Sequence, residues 1–199
     1  MYNHNHPLAA LIGSRICHDL TSPIGAVTNG LELLELSGMG ASPEMTLILD
    51  SAADANARIR LFRLAFGTAS ASQSLRAEEL RDILCTIYRS GRVTLALDVS
   101  APLRLPLAQI LVLSLLCAEQ SIPYGGTLSV TQHDDRFTVS ATGARLQVND
   151  ELWNSLEAMA PAPEVTPAQV QFLLLPERLA ALGRSLQIER GETELRLTF

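Results

Sequence analysis

Apolar side chains at Leu8, Ile12, Ile16, Leu20, Ile24, Val27, Leu31 and Leu34 recur every third or fourth residue. That spacing keeps them on one stripe and predicts a single long helix over residues 7–37. The run Ser37-Gly38-Met39-Gly40 supplies the glycine conformations that stop a helix. Ser42-Pro43-Glu44 starts a second one. Ser42 can cap it, Pro43 fits the first turn, and Glu44 faces the positive end of the helix dipole. In this second helix Met45, Ile48, Ala52, Ala55, Ile59, Phe62 and Phe66 step alternately by three and four, a seam like that of a coiled coil. Two such helices joined by a short loop form an antiparallel hairpin. A hairpin cannot bury its own stripes, so pairing of two chains into a four-helix bundle is the expected solution.

Residues 68–76 (Thr-Ala-Ser-Ala-Ser-Gln-Ser-Leu-Arg) are small and polar and read as a linker. Beyond them the pattern changes. Ala77–Tyr88 has helical periodicity, and Val93–Val99 alternates like a strand. Leu107–Ser121 is an apolar helix, and Pro123-Tyr124-Gly125-Gly126 a turn. Strands follow at Thr127–Gln132 and Arg136–Ala141, separated by a turn at Asp134-Asp135. Trp153 lies in a short helix, Pro167–Leu182 contains another, and Ser185–Arg190 and Glu194–Phe199 close as a hairpin around Gly191. The fold class is therefore α+β: a helical hairpin over residues 1–70, then a mostly antiparallel sheet with helices on one face over 71–199.

Composition narrows the function. Hydrophobic residues make up 47% of the 199 and charged residues 18%, which suits a compact protein. The net charge is −6, and all fifteen basic residues are arginines, scattered without a stripe, so nucleic acid is not an expected partner. The longest apolar run, Ile110–Ala118, is about half of the roughly 20 residues that a bilayer requires. The N-terminal residues lack the basic-then-apolar order of a secretory signal. Cys17, Cys85 and Cys117 lie in apolar helical surroundings and read as buried free thiols. A cytoplasmic location is expected, with no membrane partner.

The candidate chemistry lies in Arg15-Ile16-Cys17-His18-Asp19-Leu20-Thr21-Ser22-Pro23. At about 100° per residue, His18 falls roughly opposite the apolar stripe of its helix. Its face carries Ser14, Thr21, Ser22, Gly25 and Asn29, with Leu11 as the one large apolar member. A low-profile face around an exposed imidazole suits the docking of a globular partner. Pro23 removes a backbone hydrogen bond one turn beyond His18, at a cost of about 3 kcal/mol relative to alanine. Imidazole offers a neutral nucleophilic nitrogen near pH 7. Asp19 can bond one ring nitrogen, although adjacent helical residues do not normally face each other. Ser22, one turn on, is better placed to touch the ring, and Arg15 is the nearest cation able to help hold phosphate. His4 and His6 have no flanking ligands that would make a metal site, Gly125-Gly126 is no phosphate loop, and His133-Asp134-Asp135 reads as a polar turn.

His18-Asp19-x-x-Ser22-Pro23 resembles the phosphoacceptor box of histidine kinases. The longer run from His18 to Leu34 (His-Asp-Leu-Thr-Ser-Pro-Ile-Gly-Ala-Val-Thr-Asn-Gly-Leu-Glu-Leu-Leu) resembles the ChpT-type histidine phosphotransferases of alphaproteobacteria. Residues 71–199 are similar in layout to the ATP-binding (Bergerat-type) domain of the kinases, with three departures. Cys117 stands where the kinases have a Mg²⁺-holding Asn, and a thiol is a poor ligand for that hard cation. Ala141-Thr142-Gly143-Ala144-Arg145 replaces the Asp-x-Gly-x-Gly motif, and Gln171-Phe172-Leu173-Leu174-Leu175-Pro176 replaces the glycine-rich lid.

The resemblance implies a homodimeric phosphotransferase that accepts a phosphoryl group on His18 from the receiver domain of a hybrid histidine kinase. It then passes the group to a response regulator of the CtrA type. Catalytic residues would be His18, Asp19 and Ser22; partner-binding residues would be Ser14, Arg15, Thr21, Gly25 and Asn29. The chain would bind no ATP and no metal of its own, Mg²⁺ being expected on the receiver. The competing readings are a non-catalytic dimeric adaptor for response regulators and a kinase core with cryptic ATP binding. A phosphatase using Asp19 and Ser22 to position water is a variant of the first.

Overall fold

The computed structural model describes residues 5–39, 42–160 and 164–199, with side chains from residue 13 onward except Ser14 and Met39. His4, Gly40 and the side chains of His6, Leu8, Leu11, Ile12 and Ser14 thus lie outside the described residues. The chain forms two compact units, residues 1–68 with 82–87, and residues 69–81 with 88–199.

In the first unit α1 runs over Asn5–Leu34 and continues into a wide turn at Glu35–Met39. Gly38, with φ at +79°, breaks the helical path there. α2 covers Pro43–Phe66, and the Ser42 hydroxyl accepts the Met45 amide at 3.2 Å. The two helices are antiparallel neighbours: a Cβ on Gly13, early in α1, would lie 3.5 Å from the carbonyl oxygen of Phe66, the last residue of α2. Within one chain α2 buries Ala57, Leu61, Leu64 and Ala65, together with Ala52. The first four lie on roughly the opposite face from the seam read in the sequence. Seam residues Ile48 and Phe62 are exposed, as are Ile16, Leu20, Val27 and Leu34 of the α1 stripe. α2 is thus apolar on two faces, one covered within the chain and one open.

The second unit begins with β1 (Ser74–Leu75), which pairs antiparallel with β3 (Leu103–Arg104). Neither two-residue strand shows in the sequence, because alternation needs more positions than that, and β1 lies inside the expected linker. α3 spans Ala77–Ile87, and its second half, residues 82–87, belongs to the first unit. The main sheet has the order β2 (Val93–Asp98), β4 (Gly126–His133), β5 (Arg136–Thr142), β7 (Glu194–Thr198), β6 (Gln187–Arg190). β2 runs parallel to β4 and every other pair is antiparallel.

Alternation places Leu128, Val130, Phe137, Val139, Ala141, Leu195 and Leu197 in the core. Ser129 and Ser140, on the other face, share a 2.8 Å hydroxyl contact. α4 (Leu105–Glu119) packs against β5, β7 and α6 (Gln171–Ala181) and is buried nearly all round, which is why it reads as one apolar run. α5 (Asp150–Glu157) is capped by Asn149, and its Trp153 meets Phe172 of α6 edge to face at 5.2 Å. Gly126, at φ +152°, lets the start of β4 approach the end of β5, where a Cβ would collide with the Thr142 carbonyl oxygen.

Candidate functional site

The site lies on α1, one turn before Pro23, which sits inside that helix. Proline has no amide hydrogen, so the carbonyl of Asp19 lacks its i+4 donor. Thr21 turns back, and its hydroxyl donates to the Cys17 carbonyl at 2.7 Å. Cys17 is buried, and that burial pushes its thiol up against the opposing pull of the Arg63 guanidinium. Nucleophilic thiolate is therefore disfavoured at Cys17. Cys117 is likewise buried and pushed well up, whereas Cys85, expected to be buried, is exposed.

His18 projects outward, with 83% of its side chain exposed. Its Nδ1 lies 3.1 Å from Oδ1 of Asp19. The other carboxylate oxygen, Oδ2, accepts from Nε of Arg15 at 2.7 Å. Asp19 therefore bridges the imidazole and the guanidinium. Hydrogen bonding to His18 first, and to Arg15 second, holds its carboxyl below the ordinary aspartate range. With Asp19 ionised it can only accept, so the ring nitrogen facing it is the one that carries hydrogen.

The predicted residues are gathered unequally. Asp19 makes the contact that adjacency on a helix disfavoured, with one oxygen on each of its two partners. Ser22 is exposed and makes no hydrogen bond to the ring among the described residues. Arg15 is exposed and bonds Asp19 through its Nε. An Arg and an Asp four residues apart is the signal that could have shown this pair in the sequence. Thr21 is half-buried by its back-bond, and Asn29 is exposed. Nothing would lie within 4 Å of a Cβ on Gly25, two turns along the same face, so the face is open there. The side chain of Ser14 falls outside the described residues.

No group of three or more His, Cys, Asp or Glu side chains is placed to hold a metal among the described residues. In the second unit the end of α4 is tied to the segments after β5. The Gln147 amide donates to the Ser121 carbonyl at 2.8 Å, and the side-chain amides of Gln120 and Gln171 both donate to the Ala168 carbonyl. No described helix is long and apolar enough to cross a membrane.

Three comparisons with known proteins bear on this geometry. The family model of the histidine phosphotransferase C-terminal domain matches residues 77–194. The protein phosphotransferase ChpT of Brucella abortus (strain 2308) is 35% identical over 180 residues, which cover 85% of this chain and 85% of that protein. A solved bacterial phosphotransferase superposes with a TM-score of 0.70 at 27% identity, over all of this chain and 97% of that one.

Proposed function

The chain belongs to the histidine phosphotransferase family, and from that premise we propose that His18 is the residue on which it carries the phosphoryl group. One observation carries the proposal. The imidazole stands exposed on the open face of a helix, with Nδ1 against the Asp19 carboxylate, which leaves Nε2 as the nitrogen outside that contact.

The transfer follows from that arrangement. The Nε2 lone pair attacks the phosphorus of an acyl phosphate on the donor's receiver aspartate. The N–P bond forms as the P–O bond to that aspartate breaks, and its carboxylate leaves with the electron pair. The Nδ1 proton stays in its hydrogen bond to Asp19, whose negative charge offsets the positive charge left on the ring. A second receiver aspartate takes the group by the reverse steps. Mg²⁺ belongs to the receiver, whose carboxylates are hard oxygen ligands for it.

The partners are a kinase and a response regulator of a two-component relay, specifically the receiver of a hybrid histidine kinase and a CtrA-like regulator. Ser14, Thr21, Gly25 and Asn29 form the docking face around His18, and Ser22, one turn on along that face, is the hydroxyl that would order a water or a phosphate oxygen. The relay is placed in the cytoplasm. Two chains pair through the open apolar face of residues 1–70. Exposed Ile16, Leu20, Val27, Leu34, Ile48 and Phe62 support this, since single scattered apolar residues are ordinary on a surface but a continuous stripe is not. Residues 71–199 keep a kinase-like layout without binding ATP, a reading supported by Cys117 at the metal-ligand position, buried where it cannot meet solvent Mg²⁺.

A two-step relay tests the proposal. A phosphorylated donor receiver, this chain and an unphosphorylated acceptor receiver are mixed in Mg²⁺ without ATP. Label reaches the acceptor with the wild type and fails to do so with His18→Ala. An adaptor would give the same yield with either protein, and a kinase core would require added ATP.

A further inference from the structure

Arg15 is the residue whose position the relay mechanism above leaves unused. It is exposed, and its Nε is directed along the helix to Asp19 Oδ2 at 2.7 Å, not outward toward the side where a phosphoryl group would arrive. The same carboxylate meets the His18 ring through its other oxygen. We infer that Arg15 is a positioning residue, which acts through Asp19 to fix the orientation and tautomer of His18. The inference rests on the reading of His18 as the phosphoacceptor.

The physics is that of a shared acceptor. A carboxylate on a short stem can rotate about its Cα–Cβ and Cβ–Cγ bonds and sample several orientations. A guanidinium held one helical turn earlier removes most of those orientations, because two charged groups spaced by four residues meet with little loss of freedom. With Oδ2 taken by Arg15, Oδ1 is presented to the neighbouring imidazole. Ionised Asp19 has no hydrogen to give, so the bond to the ring exists only when Nδ1 carries the proton. That tautomer leaves the lone pair on Nε2, the nitrogen farther from the helix and open to a docked receiver. Without Arg15 the carboxylate would turn to water for part of the time, and the ring would populate the other tautomer, whose lone pair faces Asp19. Arg15, Asp19 and His18 thus form one chain of contacts.

The alternative role for Arg15, direct contact with the phosphoryl group or with the receiver, differs in what it alters. A positioning residue changes the fraction of ring in the reactive form and so the rate constant of transfer. A contact residue changes the affinity for the receiver.

The experiment uses the full chain with uniform ¹⁵N labelling. Long-range ¹H–¹⁵N correlation spectra report the tautomer of each imidazole, and His18→Ala identifies the His18 signals among the four histidines. Single-turnover transfer from a phosphorylated receiver is measured in parallel over a range of receiver concentrations. Wild type shows His18 mainly protonated on Nδ1. Arg15→Ala moves the ring toward the mixed tautomers of a free imidazole and lowers the transfer rate constant about two- to fivefold, the range an exposed ion pair can contribute, with half-saturation unchanged. Arg15→Lys, which keeps the charge and donors, recovers part of both effects.

If the tautomer is the same in Arg15→Ala as in wild type, the inference is overturned. A rise in half-saturation with an unchanged spectrum would assign Arg15 to the receiver instead. Absence of label on the wild type would remove the phosphoacceptor reading, while the spectra would still decide whether Arg15 governs the ring.

Discussion

At the scale of single residues, the chemistry turns on one carboxylate. Asp19 is the acceptor for both neighbours, and its carboxyl is held low by them. The sign follows directly: a depressed carboxyl is charged above its lowered pKa and loses its bonds only when pH falls through it. The Asp19 clamp therefore persists through the whole range in which a relay operates. Following the Asp19 carboxyl carbon by NMR should give a titration midpoint below about 3.9, the value for an unperturbed aspartate. In His18→Ala the midpoint should rise toward that value, since the largest cause of the depression is gone; an unchanged midpoint would mean that the ring does not bond Asp19. The exposure of His18 was legible in the sequence from the helical wheel. The Arg15–Asp19 contact was less legible, because an exposed arginine beside a phosphoacceptor suits either a phosphate or an i+4 carboxylate, and spacing alone does not choose between them.

At the scale of elements, the periodic segments read well and the two-residue strands did not. α1, α2, α4 and the strands β4 and β5 each span enough residues for their period to show. β1 and β3 have two residues each and are defined by their partner, a tertiary fact. α2 shows a subtler limit. Its three-four seam is real, yet within the chain it buries Ala57, Leu61 and Leu64 on another side. A helix dense in apolar and small residues offers more than one stripe, and periodicity alone does not say which partner each stripe meets. The turn between α4 and β4 was read correctly as a turn, but the reason for its glycines appears only in three dimensions. At Gly126 a side chain would strike the Thr142 carbonyl oxygen, and φ is in a region closed to other residues. Gly126→Ala should destabilise the chain by about 1–3 kcal/mol in denaturant unfolding, the usual cost of such backbone strain. A loss of a few tenths would show that the backbone relaxes there at no expense.

At the scale of the whole molecule, the chain forms two units. A helical hairpin presents the imidazole, and an α+β unit follows whose match to the histidine phosphotransferase C-terminal domain begins at residue 77. The hairpin's open apolar stripe predicts that the working unit holds two copies. Light scattering after gel filtration should give twice the chain mass of 21.5 kDa. Ile48→Arg together with Phe62→Arg, which places charge on the open face of α2, should return the monomer mass; a wild-type monomer would contradict the pairing. A four-helix bundle is what the sequence predicts, because a two-helix hairpin leaves an apolar stripe without a partner. Which surfaces the second unit offers to partners was not, since sheet faces of mixed Ser, Thr and Arg carry no periodic signal for binding.

The central claim is that the phosphoryl group resides on His18. Its most direct test is single-step labelling from a phosphorylated receiver in Mg²⁺ without ATP, with the modified residue located by mass spectrometry of the intact peptide. The account predicts an acid-labile, base-stable phosphate on His18, absent from His18→Ala. Label found on any other residue, or equal labelling of wild type and His18→Ala, would contradict it.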